Sequence, residues 1–223
     1  MIFYPAFQPI FNVDTGAFVA AEVLARWYDG GRVVSPSNIK TVVNWGAVDI
    51  EVARFIENNI SFFDNKYRTL FINVSEQTLG TDKVFRPWAE IINHITRVSG
   101  ARIVIEITES VQDSSLADRW NELAMLGGEL ALDDYGDLHS SIKRLRQYPW
   151  GYCKFDTRNI HSIIDRAAIQ YCLDNGVELI AEQVETKLQE DSARSFGLLL
   201  QQGFYHGSPE FLERIIMKSK VVS

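Results

Sequence analysis

Strand-like and helix-like segments alternate along almost the whole chain, and this alternation restricts the fold more than any other feature. The strand-like segments are YPAFQPIF, FVAAEVLARW, TLFINVS, RIVIEITES, ELALDDYG, YCKFD, ELIAEQVE and a short one near LLLQQGF. Helical spacing recurs between most of them, as in VDIEVARFIENNI, WAEIINHITRV, SLADRWNELAML and IDRAAIQYCLDNG. Such alternation indicates parallel βαβ units. About eight strands favour closure into a (β/α)8 barrel over an open sheet.

The first two strands depart from this pattern. Only the short turn NVDTG lies between Ile10 and Ala17, which is too short for a crossover helix. The opening pair is therefore predicted to be an antiparallel hairpin, and the fold class to be α/β, an irregular TIM (β/α)8 barrel. The 223 residues, of which 46% are hydrophobic, fit one domain spanning 1–223.

Composition and charge exclude several classes of function. The net charge of −7 argues against DNA binding, because nucleic-acid binding proteins rely on a basic face. Cys153 and Cys172 are too few for a disulfide framework, and they indicate two buried thiols in a reducing compartment. The longest apolar runs fall short of the roughly 20 residues of a membrane helix, and the N-terminus lacks a basic leader. We expect a cytoplasmic protein with no membrane segment.

Polar residues interrupt the apolar runs on or at the ends of the predicted strands. They are Gln8, Glu22, Asn73, Glu106, Asp133 with Asp134, Lys154, Glu182 and Gln202. Each is costly to bury alone, and the carboxyl ends of barrel strands converge on one mouth, where active sites of this fold are assembled. Oxygen ligands without His or Cys select Mg²⁺ or Mn²⁺ rather than zinc. The pair Asp133-Asp134 suits a binuclear site, with Asp133 bridging ions about 3.5–4 Å apart.

Taken singly, these residues have simpler explanations. A lone acid at a strand end is usually a helix cap or part of a surface ion pair, and Asp133 or Thr108 could each cap a following helix. Lys154 alone would more often pair with a neighbouring acid than perform chemistry. Gln202 and Asn73 alone would be turn amides. Recurrence at the same end of successive strands favours the metal-dependent mouth.

Seven segments along the chain form a recognisable series, namely FQPIFNVDTGAFVAAEVLARW, FINVSEQTL, IVIEITES, LALDDYGDLHSS, YCKFD, IAEQVET and QQGFYHGSP. In order and spacing they resemble the motifs of the EAL-domain family of cyclic di-GMP phosphodiesterases. The resemblance covers nearly the whole chain and implies the barrel fold together with two divalent ions, Mg²⁺ or Mn²⁺. By position, it implies that one metal is held by Glu22, Asn73, Glu106 and Asp133, and the second by Asp133, Asp134 and Glu182.

Further roles follow from the same resemblance. Lys154 matches the lysine that positions and activates the attacking water, and Gln202 matches a glutamine beside it. Arg26 corresponds to an arginine that contacts a substrate phosphate, and Gln8 to a residue of the guanine-binding strand. Two glutamates match supporting residues, namely Glu185 and Glu109, of which the latter steadies the loop after the aspartate pair.

The chain departs from the family's pattern in that loop. Where active members usually read DDFG-T-G-YSS, Asp137 replaces Thr, Leu138 replaces Gly and His139 replaces Tyr. If the glycine sits at positive φ, Leu138 carries strain of roughly 1–3 kcal/mol or forces another loop path. In the family that the chain resembles, this loop supports the second metal and connects to the dimer interface. Gln183 in place of Gly, and Phe204 in place of Tyr, are minor departures by comparison.

Two hypotheses of function therefore stay open. The first is a phosphodiesterase that hydrolyses cyclic di-GMP to linear pGpG, slow or regulated because of the altered loop. The second is an impaired domain that acts as a cyclic di-GMP receptor or as an adaptor for a protein partner. Partners of either form include a second copy in a homodimer and a sensory domain.

Overall fold

The computed structural model describes residues 2–212, with the side chains of residues 64–66 left out. Its strands, numbered in chain order, are β1 (Ile2–Phe3), β2 (Ala6–Asn12), β3 (Ala17–Leu24), β4 (Trp27–Asp29), β5 (Arg32–Val34), β6 (Thr69–Val74), β7 (Arg102–Ile107), β8 (Glu129–Leu132), β9 (Tyr152–Asp156), β10 (Glu178–Glu182), β11 (Leu200–Gln201) and β12 (Glu210–Phe211). Its α-helices are α1 (Trp45–Asn58), α2 (Ile60–Lys66), α3 (Glu76–Leu79), α4 (Asp82–Val98), α5 (Asp113–Ala124), α6 (Ile142–Gln147), α7 (Ile163–Asn175) and α8 (Lys187–Ser195), and a short 3-10 helix spans Pro36–Asn38.

The strands of the main sheet close into a barrel. In the part of the chain described, the order is β2-β3-β6-β7-β8-β9-β10-β11, and β11 pairs back with β2. Neighbouring strands are parallel from β3 to β11, whereas β2 is antiparallel to both of its barrel neighbours. The prediction of an α/β irregular TIM barrel with an antiparallel first pair is confirmed.

The hairpin between β2 and β3 has the local chemistry that a tight turn requires. The side chain of Asn12 accepts hydrogen bonds from the backbone N–H groups of Asp14 and Thr15, at 3.0 and 3.1 Å. Gly16 then adopts φ 64°, a conformation that is accessible to glycine at little cost. The chain thus reverses within the NVDTG segment, as its length predicts.

Helices cover the outside of the barrel and bury one apolar face each. In α1 the side chain of Asn44 caps the first turn by accepting from the N–H of Ala47, and Val48, Val52 and Ile56 are buried at four-residue spacing. The last predicted helix ends at Gly176, as expected, with φ 71°. No helix among residues 2–212 is long and apolar enough to cross a membrane.

The prediction missed several short elements. A second sheet, ordered β1-β4-β5, lies beyond the end of β3, and its strands are only two or three residues long. Helix α8 begins with a capping box between Thr186 and Gln189, and α6 begins where the Ser141 side chain accepts from the N–H of Arg144.

The simpler explanation that Asp133 or Thr108 caps a following helix is wrong. The helix after Thr108 begins at Asp113, and the helix after Asp133 begins at Ile142, so neither residue lies at a helix start.

The interior of the barrel is sealed by one apolar layer. This floor layer consists of Ile10, Ala20, Phe71, Val104, Ala131, Tyr152 and Ile180, with Leu200 packed against it. The rings of Phe71 and Tyr152 meet edge to face, with their centroids 5.1 Å apart. Since side chains alternate along a strand, the residue two positions nearer the mouth also points inward.

Candidate active site

Eight polar residues form the layer directly above the floor, one from each barrel strand or the residue just past its end. Each lies two positions from a floor residue, toward the C-terminus on seven strands and toward the N-terminus on the reversed strand β2. The set, which we call the polar layer, consists of Gln8, Glu22, Asn73, Glu106, Asp133, Lys154, Glu182 and Gln202.

Lys154 lies at the centre of this layer and is 1% exposed. Its Nζ is 2.8 Å from carboxylate oxygens of both Glu106 and Glu182, 2.9 Å from Asp133 and 3.3 Å from Glu22. The simpler expectation that Lys154 pairs with a neighbouring acid is therefore confirmed, with four carboxylates as partners. One ammonium group shared by four carboxylates leaves a net negative charge in the barrel.

Amide side chains orient the carboxylate of Glu22. Asn73 donates from Nδ2 to Oε1 of Glu22 at 2.9 Å, and Gln202 donates from Nε2 to Oε2 at 2.6 Å. Gln202 also donates to Gln8 at 3.2 Å, and Gln8 donates to the carbonyl of Gly207 at 3.3 Å. With its nitrogen engaged in this way, Asn73 keeps its amide oxygen available as a ligand.

Burial raises the pKa of the carboxylates in the polar layer, whereas the Lys154 charge and amide hydrogen bonds lower it. Burial alone would raise the pKa of Glu22, but the Lys154 charge and the amide hydrogen bonds lower it. Burial, followed by repulsion from Glu22, raises the pKa of Glu106 well above its ordinary value. Burial also raises the pKa of Asp133 and Glu182. Burial would lower the pKa of Lys154, but its acidic neighbours raise it.

The donor set of the polar layer fits divalent cations. Among the described residues, two buried carboxylate oxygens, Oε2 of Glu106 and Oε2 of Glu182, have neither a hydrogen bond nor a contact with Lys154. Oxygen atoms buried without a hydrogen-bond donor are costly, and a hard cation satisfies them. The absence of His and Cys from the layer favours Mg²⁺ or Mn²⁺ over zinc.

A second group of carboxylates lies at the edge of the layer. Oxygens of Glu109, Asp133 and Asp134 all lie within 4.8 Å of one another, a grouping that suits a cation. Burial, followed by the charge of Asp133, raises the pKa of Asp134 to about 7. The resemblance implies a supporting role for Glu109 beside the loop, and the structure also places its carboxylate next to Asp133 and Asp134, two of the expected ligands of the second metal.

Two of the expected site residues lie at the rim rather than in the layer. Arg26 is half-buried, and its Nη1 donates to the carbonyl of Ala25 at 2.8 Å. Burial lowers the pKa of this guanidinium, while the Glu22 charge acts in the opposite direction. Glu185 is exposed, and its backbone N–H donates to Gln189.

The loop after the aspartate pair has the strained backbone expected from its sequence. Leu138 adopts φ 40°, in the left-handed region, and its apolar side chain is 76% exposed to solvent. Backbone hydrogen bonds of 2.8 Å join Gly136 with Ser140 and Ser140 with Asp137. The N–H of His139 donates to the carbonyl of Glu109 at 3.1 Å, which connects Glu109 to the loop.

The polar layer opens between two cavities. The larger, of about 500 Å³, is lined by Trp45, Asp49, Asn73 and Asp133 among others, and the smaller, of about 290 Å³, by Gln8, Lys154, Glu182 and Gln202 among others. Both are lined by Glu22, Leu24, Arg26, Asp133 and Asp134. A third cavity, of about 390 Å³, has a mainly aromatic lining and includes none of these carboxylates.

One residue of the site could not be anticipated. Asp49, on α1, is 5% exposed and lines the larger cavity. Its Oδ2 accepts from the N–H and hydroxyl of Ser75, at 2.9 and 2.7 Å, and from the hydroxyl of Thr78 at 2.6 Å. Burial raises its pKa. Because Ser75 is two residues beyond Asn73, Asp49 fixes the backbone that carries an expected metal ligand.

Comparison with known protein families identifies one domain along most of the chain. The model of the EAL domain matches residues 2–209. The biofilm architecture maintenance protein MbaA of Vibrio cholerae is 30% identical over 230 residues, covering 94% of this chain and 28% of MbaA. The probable cyclic di-GMP phosphodiesterase PdeG of Escherichia coli is 25% identical over 244 residues, covering 97% of this chain and 47% of PdeG. The chain thus spans less than half the length of these relatives.

Solved structures share the fold. BlrP1 of Klebsiella pneumoniae, in complex with manganese and cyclic di-GMP, superposes with a TM-score of 0.75 at 23% identity, covering 94% of this chain and 56% of that one. The Bacillus subtilis YkuI protein, in complex with cyclic di-GMP and calcium, gives a TM-score of 0.77 at 21% identity, with the same coverage of 94% and 56%. At these identities the likeness establishes the barrel fold.

Proposed function

The chain belongs to the EAL domain family, and from that premise we propose that it is a metal-dependent phosphodiesterase that hydrolyses cyclic di-GMP to the linear dinucleotide pGpG. The observation that carries the proposal is the polar layer itself. Eight strands each deliver one polar side chain to a buried ring, at the cost of desolvating four carboxylates around Lys154. Packing alone gives no reason for such a set, whereas carboxylates in this arrangement can hold the divalent ions that catalyse phosphoryl transfer.

The two cavities suit the shape of the proposed substrate. A cyclic dinucleotide has two nucleoside halves joined by two phosphodiesters, and the cavities extend to either side of a shared wall that includes Glu22, Arg26 and Asp133. One nucleoside would occupy each cavity, with a phosphodiester above the polar layer. The guanidinium of Arg26 would then offset phosphate charge with a planar fork that lysine cannot copy.

Divalent ions, Mg²⁺ or Mn²⁺, would be held by the carboxylates of the layer. One would be held by Glu22, Asn73, Glu106 and Asp133, and the other by Asp133, Asp134 and Glu182, with Glu109 close enough to contribute. When bound, such ions lower the pKa of coordinated water toward 7 and offset the charge of the phosphate.

The side chains of the site would then orient the attacking water and the carboxylates that hold the ions. Lys154 lies at the centre of the layer and, as an ammonium whose pKa its acidic neighbours raise, would position the attacking water by donating to it. Gln202, which donates to Glu22, would keep that carboxylate directed at the ions. Gln8 contacts Gln202 on the neighbouring strand and would face the substrate in the smaller cavity. Glu185 would support the rim.

The domain organisation is part of this proposal. Residues 1–223 would form a single EAL barrel, of which residues 2–212 are described. Relatives that are more than twice as long suggest a sensory domain or another protein as partner, and the loop that contains Leu138 would contribute to a homodimer.

A second function is favoured by one observation, the loop at 137–139. Leu138 holds a left-handed backbone in an exposed loop that contacts Glu109 through His139. If this loop fails to support the second metal, the domain would bind cyclic di-GMP without cleaving it and act as a receptor or adaptor.

Incubation of the purified chain with cyclic di-GMP and Mn²⁺ separates these functions. Chromatography is expected to show linear pGpG that disappears when the metal is chelated. Calorimetry with Ca²⁺ in place of Mn²⁺ measures binding in parallel. Tight binding with no product at high protein concentration would assign the receptor function, and neither binding nor product would refute both.

A further inference from the structure

Gln183 has a backbone conformation that its own side chain makes costly. It follows Glu182 at the end of β10 and adopts φ 54°, in the left-handed region that L residues other than glycine rarely occupy. From the sequence, glutamine in place of glycine at this position is a minor departure, but the left-handed backbone makes it a costly one. A strained residue of this kind persists where its surroundings hold it in place.

The surroundings of Gln183 fix its backbone from both neighbouring strands. From β9, the hydroxyl of Thr157 donates to the carbonyl of Gln183 at 3.1 Å, and the N–H of Thr157 donates to the carbonyl of Glu182. From the β11 side, Gly203 packs so closely that an added Cβ would lie 2.1 Å from the carbonyl oxygen of Val184. The backbone of this turn is therefore held from both sides, and it sets the direction of the Cα–Cβ bond of Gln183.

The fold makes no visible use of that side chain. Gln183 is exposed, and its amide forms no hydrogen bond with any residue between 2 and 212. It does line the smaller cavity, together with Lys154, Glu182, Arg26 and the 67% exposed Phe204. A primary amide there presents both a donor and an acceptor toward whatever fills the cavity.

We propose that Gln183 is a ligand-contacting residue, whose amide hydrogen-bonds the ribose-phosphate of the nucleotide nearest Glu182. The inference rests on the proposed function and extends it to a residue outside the polar layer. The ribose-phosphate is the matching part of the ligand, because Gln183 adjoins an expected metal ligand, whereas a base needs an apolar wall such as Phe204. The strain is retained because it aims the amide at the ligand.

Three variants separate the backbone from the side chain. Gln183→Gly removes both the strain and the amide, Gln183→Ala keeps the strain and removes the amide, and Gln183→Asn keeps an amide on a residue that tolerates left-handed backbone. Each is measured for melting temperature without ligand and for cyclic di-GMP affinity by calorimetry with Ca²⁺.

The proposal predicts a trade between stability and affinity. Gln183→Gly is expected to raise Tm by about 1–3 °C and to weaken binding about three- to tenfold, the effect of one lost hydrogen bond. Gln183→Ala is expected to weaken binding equally without the gain in Tm, and Gln183→Asn to bind more tightly than either.

Two results would overturn the inference, and they are distinguishable from failure of the proposed function. If Gln183→Gly and Gln183→Ala bind cyclic di-GMP as tightly as the wild type, Gln183 does not contact the ligand. If Gln183→Asn binds no better than Gln183→Ala, the amide is not the group that matters. If the wild-type chain itself binds no cyclic di-GMP, the proposed function fails and the inference falls with it.

Discussion

The ammonium group of Lys154 lies 2.8 Å from a carboxylate oxygen of Glu106, a residue with no exposed surface. Without metal, this contact and three similar ones offset the negative charge of the acidic mouth. The same carboxylates are the expected ligands of the divalent ions. The lysine and the ions therefore act on one set of oxygens, and perturbing either reports on the other.

Replacement of Lys154 by methionine tests this relationship. With the ammonium removed, the buried carboxylates repel one another, and the metal-free protein is expected to lose about 3–5 kcal/mol of stability. Affinity for Mn²⁺ should rise, because a competing positive charge is gone, while phosphodiesterase activity should be lost.

Urea unfolding with and without Mn²⁺ measures the change in stability, and calorimetry measures the change in Mn²⁺ affinity. Lys143→Met, at an exposed position of α6, is the control, and equal stability of both variants would refute the account.

The pH dependence follows from Asp134, whose pKa is raised to about 7 by burial and by Asp133. Between the ordinary value of 3.8 and about 7, the folded state holds a proton that the unfolded state has released. Stability of the metal-free protein should therefore fall as pH rises through this window. Mn²⁺ binds the deprotonated form, so its affinity should rise with pH and level off above about 7.

Calorimetry in buffers of different ionisation enthalpy measures the protons released on Mn²⁺ binding. More protons should be released at about pH 6 than at about pH 8. Asp134→Asn should reduce that difference. Metal affinity that is independent of pH across this range would show that Asp134 does not bind the ion.

The strain at Leu138 is testable by restoring glycine. Leu138→Gly removes a side chain from a left-handed backbone position and should stabilise the protein by about 1 kcal/mol, since the roughly 1–3 kcal/mol of strain is partly offset by the greater freedom of glycine in the unfolded chain. If the loop limits catalysis, the rate of pGpG formation should also rise, and it should rise further when Asp137→Thr is added to Leu138→Gly. Unchanged turnover in a more stable variant would show that the loop is strained but not limiting.

Asp49 is expected to stabilise both the fold and the metal site. Asp49→Ala leaves three donors of Ser75 and Thr78 without their acceptor, so it should cost about 2–3 kcal/mol and lower Mn²⁺ affinity through Asn73. Asp49→Asn should cost less, since its amide oxygen still accepts. Thermal unfolding compares the stability of both Asp49 variants with that of the control Asp174→Ala. Asp174 is an exposed aspartate of α7 that accepts a hydrogen bond from Gln170. Equal losses at positions 49 and 174 would contradict this role.

Much of the fold and the polar layer could be predicted, because both depend on periodicity. Alternation along a strand places Glu182 two residues beyond the interior Ile180, and a polar residue in such a place is visible without coordinates. The antiparallel hairpin followed from the length of one turn. These inferences need only the local pattern and the closure of the barrel.

The rest depends on contacts that no local pattern contains. Asp49 meets Ser75 and Thr78 across 26 and 29 residues, so its network could not be found by spacing. Strands β1, β4 and β5 are too short to show a period. The approach of Glu109 to the aspartate pair and the left-handed φ of Gln183 arise from turns whose direction is set by tertiary packing.

The central claim is that carboxylates from separate strands gather at the mouth in order to hold divalent ions. Mn²⁺ titration of Glu22→Gln, alongside the wild type and Glu129→Gln, tests it most directly, because Glu129 is an exposed glutamate at the opposite end of a barrel strand. We expect Glu22→Gln to weaken Mn²⁺ binding more than about tenfold, with Glu129→Gln unchanged. Mn²⁺ binding by Glu22→Gln equal to that of the wild type would contradict the account.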